Sequence, residues 1–204
     1  MGSTMAQAGE RKSHILQTLA GMLEQPQGEK ITTALLAARV GVSEAALYRH
    51  FASKAQMFEG LIEFIEQSIF GLINRITSEE SGGLKQTEAI LELLLRFAEK
   101  NPGMTRVMIG DALVHEHERL QARINRVQDR LEASLRQSLR IAATQNEIAD
   151  QDFAAYANML LGFVIGRWHQ FAKSGFSRSP LEHWTAQQAY LFAPLALKPS
   201  THED

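Results

Sequence analysis

The stretch Thr33 to Phe51, TALLAARVGVSEAALYRHF, constrains this chain more than any other. Leu36 and Val40 lie four apart and share one face of a short helix. Gly41 follows where a helix end needs a residue able to turn left-handed. Ser43 is placed to cap a second helix by accepting from its first amides. Leu47 and Phe51, again four apart, turn the apolar side of that helix inward. Ala37 stands where the two helices approach, and a larger side chain would push them apart. This order of small residue, glycine, cap and paired apolar residues is a helix-turn-helix signature. An ordinary helical hairpin would explain the packing positions. It would not explain why Tyr48, Arg49 and His50 are left on the outer face.

The remainder of the chain reads as helix, with no convincing strand. Glu10 to Glu24 carries Ile15, Leu16, Leu19, Met22 and Leu23 on one face, and Pro26-Gln27-Gly28 ends it. Ser53 caps a long helix over about 54–77, with an apolar stripe from Phe58 to Ile76. Leu84 to Lys100 is apolar enough in its middle to be a buried central helix, stopped by Asn101-Pro102-Gly103. A short helix over 104–109 precedes the longest pattern, Asp111 to Thr144. Asp152 to Ser174 forms an aromatic-rich helix, and Pro180 begins a last one ending near Pro194. Residues 1–9 are set outside the fold, and the tail after Leu197 frays. The fold class is therefore all-α, with about nine helices. A three-helix head over 10–53 carries the helix-turn-helix, and a larger helical body spans 54–197.

Charge is consistent with that division. The whole chain has a formal net charge of −2, but residues 1–56 hold six Lys/Arg against four Asp/Glu, so the excess acid lies in the body. The chain has no cysteine, which leaves neither a disulfide framework nor a thiolate metal site and suits a reducing cytoplasm. No apolar run reaches the roughly 18 residues of a membrane span.

This layout, with Thr32-Thr33, Leu36-Ala37, Gly41-Val42-Ser43, Leu47 through Phe51 and Ser53-Lys54, resembles the TetR family of dimeric bacterial DNA-binding proteins. The longer run ITTALLAARVGVSEAALYRHFASKAQMFEGLIEFIEQSI and the body segment NPGMTRVMIGDALVHEHERLQARINRV are similar to the nucleoid-occlusion branch of that family. The resemblance implies a homodimer on palindromic sites in double-stranded DNA. It also implies a protein partner, the tubulin-like division protein FtsZ, held by the long helix after the head and the next body helix. Phe64, Leu93 and Asn101 match there. Leu72, Arg96 and Lys100 stand where the resembled pattern has arginine, glycine and arginine. The other reading within the family is a repressor whose body holds a small-molecule ligand.

DNA reading is expected from Ser43 to His50, the second helix of the motif. Ala45 and Ala46 suit thymine methyls, Glu44 can accept from cytosine N4, and Ser43 can hydrogen-bond. Arg49 is the side chain with a guanine-type fork. Thr32 and Thr33 belong to the same outer polar face, and Thr33, Tyr48, His50 and Lys54 are expected to hold phosphates. Tyr48 could instead only pack, and His50 could be a histidine at the core edge. Phe64 has two readings, a core aromatic or an exposed anchor for the partner, with Leu93, Lys100 and Asn101 completing the patch. Gly162 and Gly166, with Trp168, Trp184 and Tyr190, are expected at the dimer interface. His115-Glu116-His117-Glu118 invites a metal reading, but residues two apart on a helix point to different sides. A solvated turn is the better account, and no metal, cofactor or catalytic group is expected.

Overall fold

The computed structural model describes residues 2–25 and 31–195. The described residues form nine α-helices and no strand. They are α1 (Gly2–Leu23), α2 (Thr33–Val40), α3 (Glu44–Tyr48), α4 (Lys54–Glu79), α5 (Gly83–Lys100), α6 (Pro102–Met108), α7 (Glu118–Thr144), α8 (Phe153–Lys173) and α9 (Trp184–Phe192). The turn read at Pro26–Gly28 and the end of the body at 197 lie outside the described residues.

The motif folds for the local reasons its residues supply. Thr32 caps α2 by accepting from the Leu35 amide at 3.2 Å. Gly41 takes φ 75° at the end of α2, a left-handed conformation that would strain a side chain. Ser43 then accepts from the Ala46 amide at 3.2 Å and starts α3. Leu36, Ala37, Val40, Leu47 and Phe51 are buried, and all but Ala37 belong to the same apolar core as Ile15 and Leu19 of α1 and Phe58 of α4. Each large apolar side chain removed from water in this way contributes roughly 1.5–3 kcal/mol. In the body α5 is the central helix, packed on α4, α7 and α8, as its apolar middle demands.

Four helix starts differ from the periodic pattern, among them α6, which begins at Pro102 and not at 104 because proline is tolerated in a first helical turn. α1 begins at Gly2, well before Glu10, because no proline interrupts it. The pattern from Asp111 does not run unbroken into α7. Asp111–Leu113 is a short 3₁₀ turn, and α7 starts only at Glu118, where His117 Nδ1 accepts from the Arg119 amide at 3.3 Å. The last helix starts at Trp184 and not Pro180. His183 is left-handed at φ 65°, and the Arg167 guanidinium ties up the carbonyls of Ser179, Pro180 and Glu182 in a turn.

The segment that breaks α7 joins head to body. Arg106 Nε donates to Asp111 Oδ2 at 2.7 Å, and its Nη1 donates to the carbonyls of Leu23 and Gln25 at 3.2 and 3.3 Å. It therefore satisfies carbonyls left open at the end of α1. Lys173, in the last turn of α8, donates to the other Asp111 oxygen. Burial acts to raise the Asp111 pKa, but hydrogen bonds from Lys173 and Arg106 outweigh it and hold the carboxyl below its usual 3.8. A depressed folded pKa stabilises above the unfolded value and loses that contribution as pH falls through the folded one. Asp111→Asn is therefore expected to cost about 2 kcal/mol at neutral pH, the worth of charge-assisted hydrogen bonds. The difference from the unmutated protein should shrink as the pH falls below 3.8. Urea unfolding across a pH series measures it, and a difference independent of pH would count against the assignment.

Candidate nucleic-acid interface

α3 presents its N-terminal half outward. Ser43, Glu44 and Ala45 are exposed, and Ala46 is half-buried. Tyr48 is 44% exposed, so packing alone does not account for it. Its hydroxyl donates to Thr33 Oγ1 at 3.4 Å, and Thr33 donates in turn to Glu44 Oε2 at 2.7 Å. This relay fixes α3 against the start of α2. It leaves Glu44 Oε1 without a partner among the described residues, able to accept from a base edge. Thr32 and Ser43 use their oxygens as helix caps, so what they retain for an outside acceptor is the hydroxyl proton. Arg49 is exposed at the C-terminal end of α3, and His50 beside it is half-buried.

Lys54 departs from its expected place among phosphate contacts. Its ammonium is held by the Glu116 carboxylate from the turn before α7, with side chains only 23% and 14% exposed. It also lies 5.7 Å above the Phe58 ring. A desolvated pair of this kind resists losing one partner, because the other charge would stay buried. Lys54 is thus a tie between the first turn of α4 and the body, and meeting a phosphate requires it to leave Glu116. Sequence reasoning missed Glu116 because the HEHE run points to histidine chemistry, and nothing local signals a lysine 62 residues away.

The expected interface and partner residues divide. Trp168 is buried within the protomer, its Nε1 donating to the Leu94 carbonyl at 3.1 Å. Trp184 is also buried, its ring 6.3 Å from that of Phe163. Both belong to the core of one chain, which corrects their assignment to a surface between two chains. Indole needs a hydrogen-bond partner when buried, and Leu94 supplies it for Trp168. Gly162, Gly166 and Tyr190 are exposed. Phe64 is 44% exposed, which decides against the core reading, and Leu72, two turns on, is 41% exposed. Lys100 is exposed and Leu93 half-buried. Asn101 donates from Nδ2 to the Phe97 carbonyl at 2.7 Å, closing the end of α5.

Comparison with known proteins agrees with this geometry. Residues 28–61 match the family of bacterial regulatory proteins of the tetR type, and residues 82–196 match a SlmA-like, tetracyclin repressor-like C-terminal domain. The chain is 53% identical over 184 residues to the nucleoid occlusion factor SlmA of Idiomarina loihiensis, covering 89% of this chain and 93% of that one. It is 53% identical over 180 residues to the protein of the same name from Alteromonas mediterranea, covering 88% and 92%. Among solved structures, a TetR transcription regulator from Haloarcula marismortui superposes with TM-score 0.76 at 18% identity, over 93% of this chain and all of that one. FadR of Bacillus subtilis superposes with TM-score 0.73 at 12% identity, over 89% and 98%. These two show the shared fold. About half of the aligned residues are the same in these curated relatives, over alignments that span most of the chain, and the chain belongs to the TetR family as a member of its nucleoid occlusion factor SlmA group.

Proposed function

We propose that this chain acts as a homodimer that binds double-stranded DNA through α3 and, while bound there, captures FtsZ on the surface of α4 and α5 and so blocks division-ring assembly over the nucleoid. The observation that carries the partner half is the exposure of Phe64 and Leu72 along α4. Two large apolar side chains on one helical face, with no core role, suit an anchor for a protein segment. Leu93, Arg96 and Lys100 lie three and four apart on α5, so they share a face there. Lys100 at the end of that face offers charge to an acidic segment.

A ligand-responsive repressor finds less support in the body. Its four fully buried polar residues, Gln86, Thr87, Thr105 and Ser138, satisfy one another or the backbone, while Gln187 Oε1 on α9 is a buried acceptor without a partner among the described residues. Ser138 donates to Gln86 Oε1 at 3.1 Å, Thr87 to the Gly83 carbonyl at 2.9 Å, and Thr105 to the Ala98 and Asn101 carbonyls at 3.0 Å. Groups consumed in this way do not converge on a small molecule.

Phe64→Ala and Lys100→Glu are expected to abolish capture of FtsZ while leaving DNA affinity within about threefold, roughly 0.6 kcal/mol. Co-sedimentation of FtsZ with the DNA-bound protein, paired with fluorescence anisotropy on DNA, measures both. Capture that survives both substitutions would place the partner surface elsewhere. A map of chromosomal sites separates the two functions, since occlusion needs many sites and a simple repressor needs one operator.

A further inference from the structure

The head carries a second feature that its motif does not explain. A cleft of about 370 Å³ opens between α1 and α3, with Ile15, Val42 and Ala46 as its floor and Arg11, Arg49 and His50 at its rim. Arg11 and Ile15 are four apart on α1, so one stands directly beside the other on the same face. No acidic side chain lines the cleft, and among the described residues none of its three basic groups forms an ion pair. The cleft of about 170 Å³ at the junction of head and body is built differently. There two carboxylates line the walls beside Arg39 and Arg106, Asp111 paired with Arg106 and Glu116 with Lys54. A site with basic groups and no acid attracts an anion, and an apolar floor gives no donor or acceptor to read a base edge. A phosphate with its deoxyribose carbon ring meets both conditions.

We propose that this cleft seats a phosphodiester of the bound DNA strand, with Arg11 of α1 and Arg49 at the end of α3 as its backbone contacts. The proposal rests on the DNA-binding reading above and changes one part of it. Residues at the N-terminal end of a recognition helix reach base edges. Arg49 caps the opposite end and shares a rim with Arg11. Arg49 therefore positions the head on the strand, and base choice falls to Ser43, Glu44 and Ala45.

The test uses the full chain and two labelled duplexes of equal length, one enriched by the unmutated protein from a random library and one scrambled. Anisotropy is measured over a series of KCl concentrations. Arg11→Ala and Arg49→Ala should each weaken both duplexes alike, by about three- to tenfold, and each should reduce the salt slope by about 0.9. The enriched sequence should be the same for the variants, and Arg11→Lys should keep most of the affinity. Thermal melts confirm that each variant is folded. Unchanged affinity and slope in folded Arg11→Ala would overturn the site. Loss confined to the enriched duplex, with one base position relaxed, would make Arg49 a base reader and overturn its part. Inorganic phosphate that displaces DNA from the unmutated protein beyond its ionic-strength effect, but not from Arg11→Ala, would make this a free-phosphate site instead. Failure of the unmutated protein to bind either duplex would remove the DNA reading itself, which is a separate result.

Discussion

Gly103→Ala is expected to destabilise the protein by about 3 kcal/mol, the upper range for forcing extra volume into a packed interior. A Cβ at this position would stand 2.0 Å from the Ala20 carbonyl oxygen and 3.1 Å from the Leu23 Cβ. The first obstacle is backbone, so no rotamer change relieves it. α6 must move away from α1, and α6 also carries Arg106, which holds the end of α1. The damage therefore falls on the junction of head and body. Urea unfolding gives the stability change. Gly21→Ala is the matched control, since nothing among the described residues lies within 4 Å of a Cβ there, and it should be neutral or stabilising by up to about 1 kcal/mol. Equal stability of the two variants would mean that α6 and α1 do not cross this closely.

Gly162→Leu is expected to leave the protomer folded and to disrupt the dimer. Among the described residues nothing lies within 4 Å of a Cβ at Gly162 or Gly166, so an added Cβ meets open space there. Leucine is also the better helix former by nearly 1 kcal/mol. On the exposed side of α8, Ala155, Met159, Gly162, Gly166, His169 and Lys173 recur at four- and three-residue steps. That is the spacing at which two helices pack at 8–10 Å if the side chains between them are small. A leucine in the middle separates the backbones. Sedimentation velocity should then show monomer at about micromolar concentration, and affinity for a paired site should fall by about 10²- to 10⁴-fold as the two heads lose their linkage. A Gly162→Leu protein that stays dimeric with full affinity would exclude this face of α8 from the interface.

The head was legible because its cues are local. A cap acts over three residues and a left-handed glycine over one, so Ser43, Gly41 and Thr32 could be placed from their neighbours alone. The body was legible in its number of helices but not in their starts. An apolar repeat continues from Leu113 through Leu120 whether or not the backbone between them is helical, since the period reports which side faces the core. The break before α7 follows from Asp111 and Glu116 being drawn to Arg106, Lys173 and Lys54, partners on other helices. Candidate surface residues were legible in kind and less so in place. Aromatic residues near the chain's end could serve a core or an interface, and burial sends Trp168 and Trp184 to the first and leaves Tyr190 exposed.

By itself the sequence determined the fold class and the helix-turn-helix, and it singled out Ser43 to His50 as the candidate DNA-facing stretch. Each depends on hydrogen bonds and side-chain spacing within a few residues, which are set before the chain is packed. Only the tertiary structure decided that Lys54 answers to Glu116, that Arg11 and Arg49 rim one cleft, and that Phe64 stands in water. It also separated Gly103, which α1 presses against, from Gly162, where nothing among the described residues lies near an added Cβ. These follow from which distant segments meet. A pairwise contact between residues tens of positions apart leaves no periodic trace in either segment, and whether a glycine is needed depends on the backbone that crosses it.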